Sequence, residues 1–167
     1  MDFFDIKNVL ALAVDYTGAE ATNSWKLARE NTATNWTLVA AREGEALDQN
    51  KLGSFGQPLQ SPTFNDVLTG DAANLSTNAT RITLGTEDHF TYTLTLGEPN
   101  ADGEFPMQLA VAVNLPEKRV PAKDEKPEDQ ASLDTEWQSQ QQQLKTRLAL
   151  HQNFSGEHWT FLVPGYT

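Results

Sequence analysis

Trp25-Lys26-Leu27 and Trp36-Thr37-Leu38 alternate a large apolar side chain with a polar one, the period of a strand with one buried face. Between them, residues 31–35 (Asn-Thr-Ala-Thr-Asn) are turn-forming and polar. We therefore expect a tryptophan-bearing β-hairpin over residues 24–29 and 35–40. Leu47, Leu52, Leu59 and Phe64 follow it. Asp48 is a good N-cap for a short amphipathic helix from about Gln49. Leu52, Phe55 and Leu59 would share one face, with Gly53, Gly56 and Pro58 weakening its end.

The pattern continues on both sides. Residues 7–16 contain Val9-Leu10-Ala11-Leu12-Ala13-Val14 and predict a buried first strand, although alanine and leucine also suit a helix. Residues 18–23 read as a loop, and residues 63–68 as a short extended segment with turn chemistry at Asn65-Asp66 and Gly70-Asp71. The clearest strands are residues 80–84 and 90–96. Phe90, Tyr92, Leu94 and Leu96 fall on one face of the second, and Thr91, Thr93 and Thr95 on the other. That threonine face predicts an antiparallel sheet with one solvated side. Glu87-Asp88-His89 should close this hairpin, and residues 99–103 the next, leading to a strand over residues 107–113.

Residues 114–127 change character, with Pro116, Pro121 and Pro127 among charged side chains; we expect a flexible charged loop. A long helix should begin near Pro127, with Glu128 and Asp129 at its positive end. Its stripe would be Leu133, Trp137, Gln140 or Gln141, Leu144, Leu148 and His151. Lys145, Arg147 and His151 lie towards its negative end, and the glutamines at 140–143 are helix-compatible. A strand over residues 159–163 closes the chain. The fold expected is α+β: an antiparallel β-sheet built of hairpins with one short and one long helix packed on it. Its apolar face would carry Trp25, Leu27, Trp36, Leu38, Phe90, Tyr92, Leu94, Val111, Val113 and Phe161, covered by Trp137, Leu144 and Leu148.

Composition narrows the function. The 167 residues suit a single domain, 1–167, able to bury a core without disulfides. A net charge of −11 opposes electrostatic attachment to nucleic acid or anionic lipid. The absence of cysteine excludes thiol catalysis, disulfides and thiolate zinc sites. The apolar run at residues 9–14 is far shorter than the roughly 20 residues that span a bilayer, so direct membrane insertion is not expected. Asp2 and Asp5 precede that run, unlike a secretory leader. The abrupt start and finish on strands point to a fragment of a larger protein.

Candidate chemistry is sparse. His89, His151 and His158 share no helical metal-site spacing and read as surface or helix-end residues. Glu98, Asn100, Asp102 and Gly103 imitate the first half of a calcium loop, but Leu109 stands where a bidentate glutamate is required, and strands flank the segment. An Asp-Gly hairpin turn is the better reading. Ser54 lacks a nucleophile-elbow context, and Gly53 and Gly56 do not complete a phosphate loop. The carboxylates concentrate at 124–129, in a solvated charge run that would not tune an acid's pKa. The four tryptophans, Trp25, Trp36, Trp137 and Trp159, each occupy an apolar position of a periodic pattern and are expected in the core; exposed, they would form a stacking platform. Sequons at Asn35, Asn74, Asn78 and Asn153 would matter only in a eukaryotic secreted protein. We therefore expect no catalytic, cofactor-binding or metal-ligating residues, and no enzyme.

The order of these motifs resembles the bacterial domain of unknown function DUF4340. The resemblance is carried by Asn35-Trp36-Thr37-Leu38, the capped segment Leu47-Asp48-Gln49-Asn50-Lys51-Leu52, and Phe64-Asn65-Asp66-Val67. It continues with Phe90-Thr91-Tyr92-Thr93-Leu94-Thr95-Leu96-Gly97, a charged loop, a glutamine- and lysine-rich helix, and the terminal Trp159-Thr160-Phe161-Leu162-Val163. It covers most of the chain from about Val9 onward. The resemblance implies a periplasmic or cell-envelope module, anchored by a segment outside this chain and auxiliary to an ABC transporter of the gliding-motility type. It also implies an envelope or membrane protein as partner and defines no catalytic residues. The alternative function is a glycan- or peptide-binding module using exposed tryptophans.

Overall fold

The computed structural model describes residues 5–52, 63–69, 75, 78–156 and 159–165. It is an α+β fold. Eight strands form one antiparallel sheet in the order β3-β2-β1-β5-β6-β7-β8-β4. In chain order they are β1 (Val9–Asp15), β2 (Trp25–Ala28), β3 (Thr37–Leu38), β4 (Asp66–Leu68), β5 (Thr80–Thr86), β6 (Phe90–Leu96), β7 (Phe105–Val113) and β8 (Thr160–Val163). Among the described residues two α-helices, α1 (Gln49–Leu52) and α2 (Gln130–Gln152), accompany them. Gly18–Asn23, expected as a loop, is a single 3-10 stretch.

Register explains why one face is apolar. Directly paired residues of antiparallel strands point to the same side. Leu38, Leu27, Leu12, Leu84, Tyr92 and Val111 thus form one continuous row from β3 to β7. Trp25, Val14, Ile82, Leu94 and Leu109 form a second, and Leu96, Met107, Phe161 and Val67 a third. All of these side chains belong to the core or pack against it. A register shift between Val9 and Ala11 reverses the alternation, so Val9 and Leu12 are both buried despite their odd spacing. The opposite face carries the small row Ala28, Ala11, Gly85, Thr91 and Ala112, of which Ala11, Thr91 and Ala112 are exposed.

The hairpin reading of β2 and β3 holds, with a second strand of only two residues. Asp48 caps α1 as expected: its carboxylate accepts from the Asn50 amide at 3.0 Å. The expected continuation of that helix through Phe55, Pro58 and Leu59 lies outside the described residues, as do Ser54, Gly70-Asp71, Asn74 and His158.

The long helix begins at Gln130 rather than near Pro127, so Glu128 and Asp129 precede it. Asp129 adopts helical angles without a side-chain cap, and its carbonyl accepts from the Leu133 amide and the Ser132 hydroxyl. Leu144 and Leu148 pack against the core and Trp137 is half-buried; the stripe falls on the face the sequence assigned to it. Residues 114–127 form neither helix nor strand, yet Arg119 is fastened there. Its guanidinium donates to both carboxylate oxygens of Glu125 and, at 2.6 Å, to Asp134 of α2. Among the described residues no helix is long and apolar enough to cross a membrane.

Candidate functional site

Two places concentrate side chains that could act: a groove at the β3 end of the sheet and a polar cluster beneath α2.

The groove lies between the β2–β3 hairpin, the 3-10 stretch and α1, with a volume of about 640 Å³. Trp25, Leu27, Leu38, Leu47 and Leu52 give it apolar walls, and Lys26, Arg42, Glu45, Asp48 and Lys51 give it charged ones. Local chemistry holds it open. Gln49 donates to the Trp36 carbonyl at 2.8 Å, tying α1 to the hairpin. Arg42 donates to the Thr22 carbonyl at 2.6 Å, tying the far wall to the segment before β2. Trp36, one residue before β3, is buried, with the Arg29 guanidinium 4.6 Å from its ring centroid. Val39 lines the groove and is 45% exposed. Three cations and two carboxylates border it, an almost balanced set on a chain of net charge −11.

The polar cluster links the β5–β6 turn to α2. Thr86 accepts from the Phe90 amide at 3.2 Å and donates to Asp88 at 2.5 Å. His89 takes a positive φ of 67° to close the turn. Asp88 pairs with Arg147 of α2, whose guanidinium stacks 4.1 Å from the Phe90 centroid. One helical turn later His151 Nδ1 lies 2.9 Å from the Tyr92 hydroxyl. Burial pushes the Tyr92 phenol up to about 12. Burial, reinforced by Arg147, pushes the His151 imidazole below its ordinary value. Burial works to raise Asp88, but hydrogen bonds from Thr86 and Arg147 outweigh it and hold the carboxyl low. Each group is committed to a neighbour, so the cluster fastens helix to sheet.

His151 corrects the surface reading of the histidines. It ends the helix as expected but is only 8% exposed, because its position three residues after Leu148 turns it onto the sheet, where the Tyr92 hydroxyl satisfies it. The signal available in the sequence was that spacing together with a tyrosine on the apolar face of β6. The tryptophan reading needs a second correction. Trp36 is buried and Trp25 and Trp137 are half-buried, but Trp159 lies one residue before β8 and is 42% exposed. Trp25 on β2 and Trp159 beside β8 stand five strand steps apart in the sheet, about 24 Å at strand spacing, too far for one stacking platform. Asn100, the second oxygen of the calcium-like segment, accepts from the Asp102 and Glu104 amides at 3.0 and 2.9 Å; this is a hairpin turn closed by Gly103 at φ 77°. Among the described residues no group of three or more His, Asp or Glu could hold a metal ion.

No protein-family model matches the chain, and neither the curated proteins nor the solved structures contain a significant match to it.

Proposed function

We propose that this chain is a non-enzymatic protein-binding or scaffolding module of the bacterial cell envelope, whose groove beside Trp25 receives an apolar segment of a protein partner. The groove carries the reading. Its volume falls in the range of ligand-binding clefts, and its apolar walls include Leu38 of β3, the strand at one end of the sheet order. The nearly neutral border makes it a place where a neutral or acidic partner escapes the repulsion of a strongly negative surface. The envelope setting, an anchor outside this chain and the association with an ABC transporter rest on the resemblance to DUF4340. The alternative, a glycan-binding module built on exposed tryptophans, has less support, since Trp25 and Trp159 cannot share a platform.

The test is capture from envelope extracts with the wild-type chain and two variants. Val39→Asp places a charge in the groove at an exposed position. Val120→Asp does the same in the 114–127 loop, where Val120 is 87% exposed. A partner retained by wild type and Val120→Asp but lost by Val39→Asp supports the groove. A partner retained equally by all three, or none at all, rejects it.

A further inference from the structure

We propose that the Tyr92–His151 contact is an acid-sensitive latch that holds the C-terminal half of α2 on the sheet and lets go when the imidazole becomes a cation. His151 is 8% exposed, and its ring lies 5.7 Å from the Tyr92 ring and 6.3 Å from the Phe90 ring, centroid to centroid. In the neutral Nε2–H tautomer, Nδ1, 2.9 Å from the Tyr92 hydroxyl, accepts the phenol hydrogen with no charge on either group. A proton added at Nδ1 removes that acceptor and leaves the phenol hydrogen to find another. It also creates a second cation one helical turn from Arg147, in a site walled by aromatic rings.

The neighbouring charges do not absorb that cation. From the β5–β6 turn, Asp88 is already engaged by Arg147 and Thr86. From the N-terminal segment, Asp5 is paired with Lys7 and its side chain is 41% exposed. On α2 itself, Arg147 faces the site as a cation, and its buried Nε has no hydrogen-bond partner. From β6, Tyr92 is neutral, its phenol pushed up to about 12 by burial.

The direction of the pH effect follows. Burial, then Arg147, lowers the folded His151 below its ordinary 6.5 while Asp5 and Asp88 oppose. The released histidine binds its proton first, so docking is complete above about pH 7 and is lost as pH falls through 6.5 and the depressed value. Asp88 is itself held below 3.8. Its contribution is present above that value and lost only below it, in a separate, more acidic window.

Amide hydrogen exchange of residues 144–152 at pH 7.5 and pH 5.0, corrected for intrinsic rates, reads the latch directly. Wild-type protection should fall at the lower pH by clearly more than about twofold. His151→Gln, which keeps an acceptor for Tyr92 but cannot titrate, should hold its protection within about twofold. Wild-type protection that ignores pH, or an equal loss in His151→Gln, overturns the proposal. Should that variant misfold, an NMR titration of His151 in the wild type decides: a midpoint below 6.5 supports the latch, and one at or above 6.5 refutes it.

Discussion

Replacing Leu84 by alanine tests the facing of the whole sheet at its most buried point. Leu84 is 0% exposed and stands in register between Leu12 on β1 and Tyr92 on β6. Deleting three buried carbons from a leucine costs about 2–5 kcal/mol, with the larger losses where the surroundings cannot collapse. Here the flanking strands are locked by ladders on both sides, so a loss of about 3–4 kcal/mol is expected. For a domain of this size that lowers Tm by about 6–16 °C, at about 2–4 °C per kcal/mol. Thr91→Ala is the companion variant. Thr91 sits on the opposite face of β6 and is exposed, so its loss should stay within about 0.5 kcal/mol. Urea unfolding followed by tryptophan fluorescence reads both, with an unchanged slope confirming that the comparison is of stabilities. A one-residue slip in register would exchange the two faces. A loss below about 1 kcal/mol for Leu84→Ala, or equal losses for the two variants, would therefore refute the facing described above.

Two further outcomes follow from particular atoms. A Cβ added at Gly165 would lie 2.7 Å from the Gly103 carbonyl oxygen, so Gly165→Ala should cost about 1–3 kcal/mol of overpacking; an unshifted urea midpoint counts against that close approach. Tyr92 ionises at about 12 when folded, against 10.0 ordinarily, chiefly through burial. The unfolded chain therefore gives up this proton first, and stability should decline as pH rises from 10 towards 12. Tyr92→Phe should remove that part of the decline; urea midpoints across the alkaline range that fall equally in both proteins would say that the phenol is not buried as described.

Much of this architecture was legible because strands announce themselves locally. The alternation Phe90, Tyr92, Leu94 and Leu96 against Thr91, Thr93 and Thr95 identifies both the strand and its two faces, and the stripe from Leu133 to His151 does the same for α2. Strand order was not legible. That β5 joins β1, and that β4 docks beside β8 at the far edge, depends on pairings between distant segments that leave no local trace. Val9 was assigned correctly to a strand, but its bulge breaks the alternation that would have placed it on a face. Trp159 shows the opposite failure, an apolar residue in phase with a strand that starts one residue later. The fastening at His151 was half visible: its helical phase pointed inward, while its ordinary preference for the surface pointed out, and the partner Tyr92 lies 59 residues away. The groove was invisible because its walls come from four separate segments.

Site-specific photo-crosslinking tests the binding account most directly. A photoreactive side chain placed at position 39, within the groove, and at position 120, on the charged loop, is irradiated in envelope extracts under the same conditions. The account predicts one defined protein adduct from position 39 and none from position 120. The same adducts from both positions, or none from position 39 while the chain is folded, would contradict it.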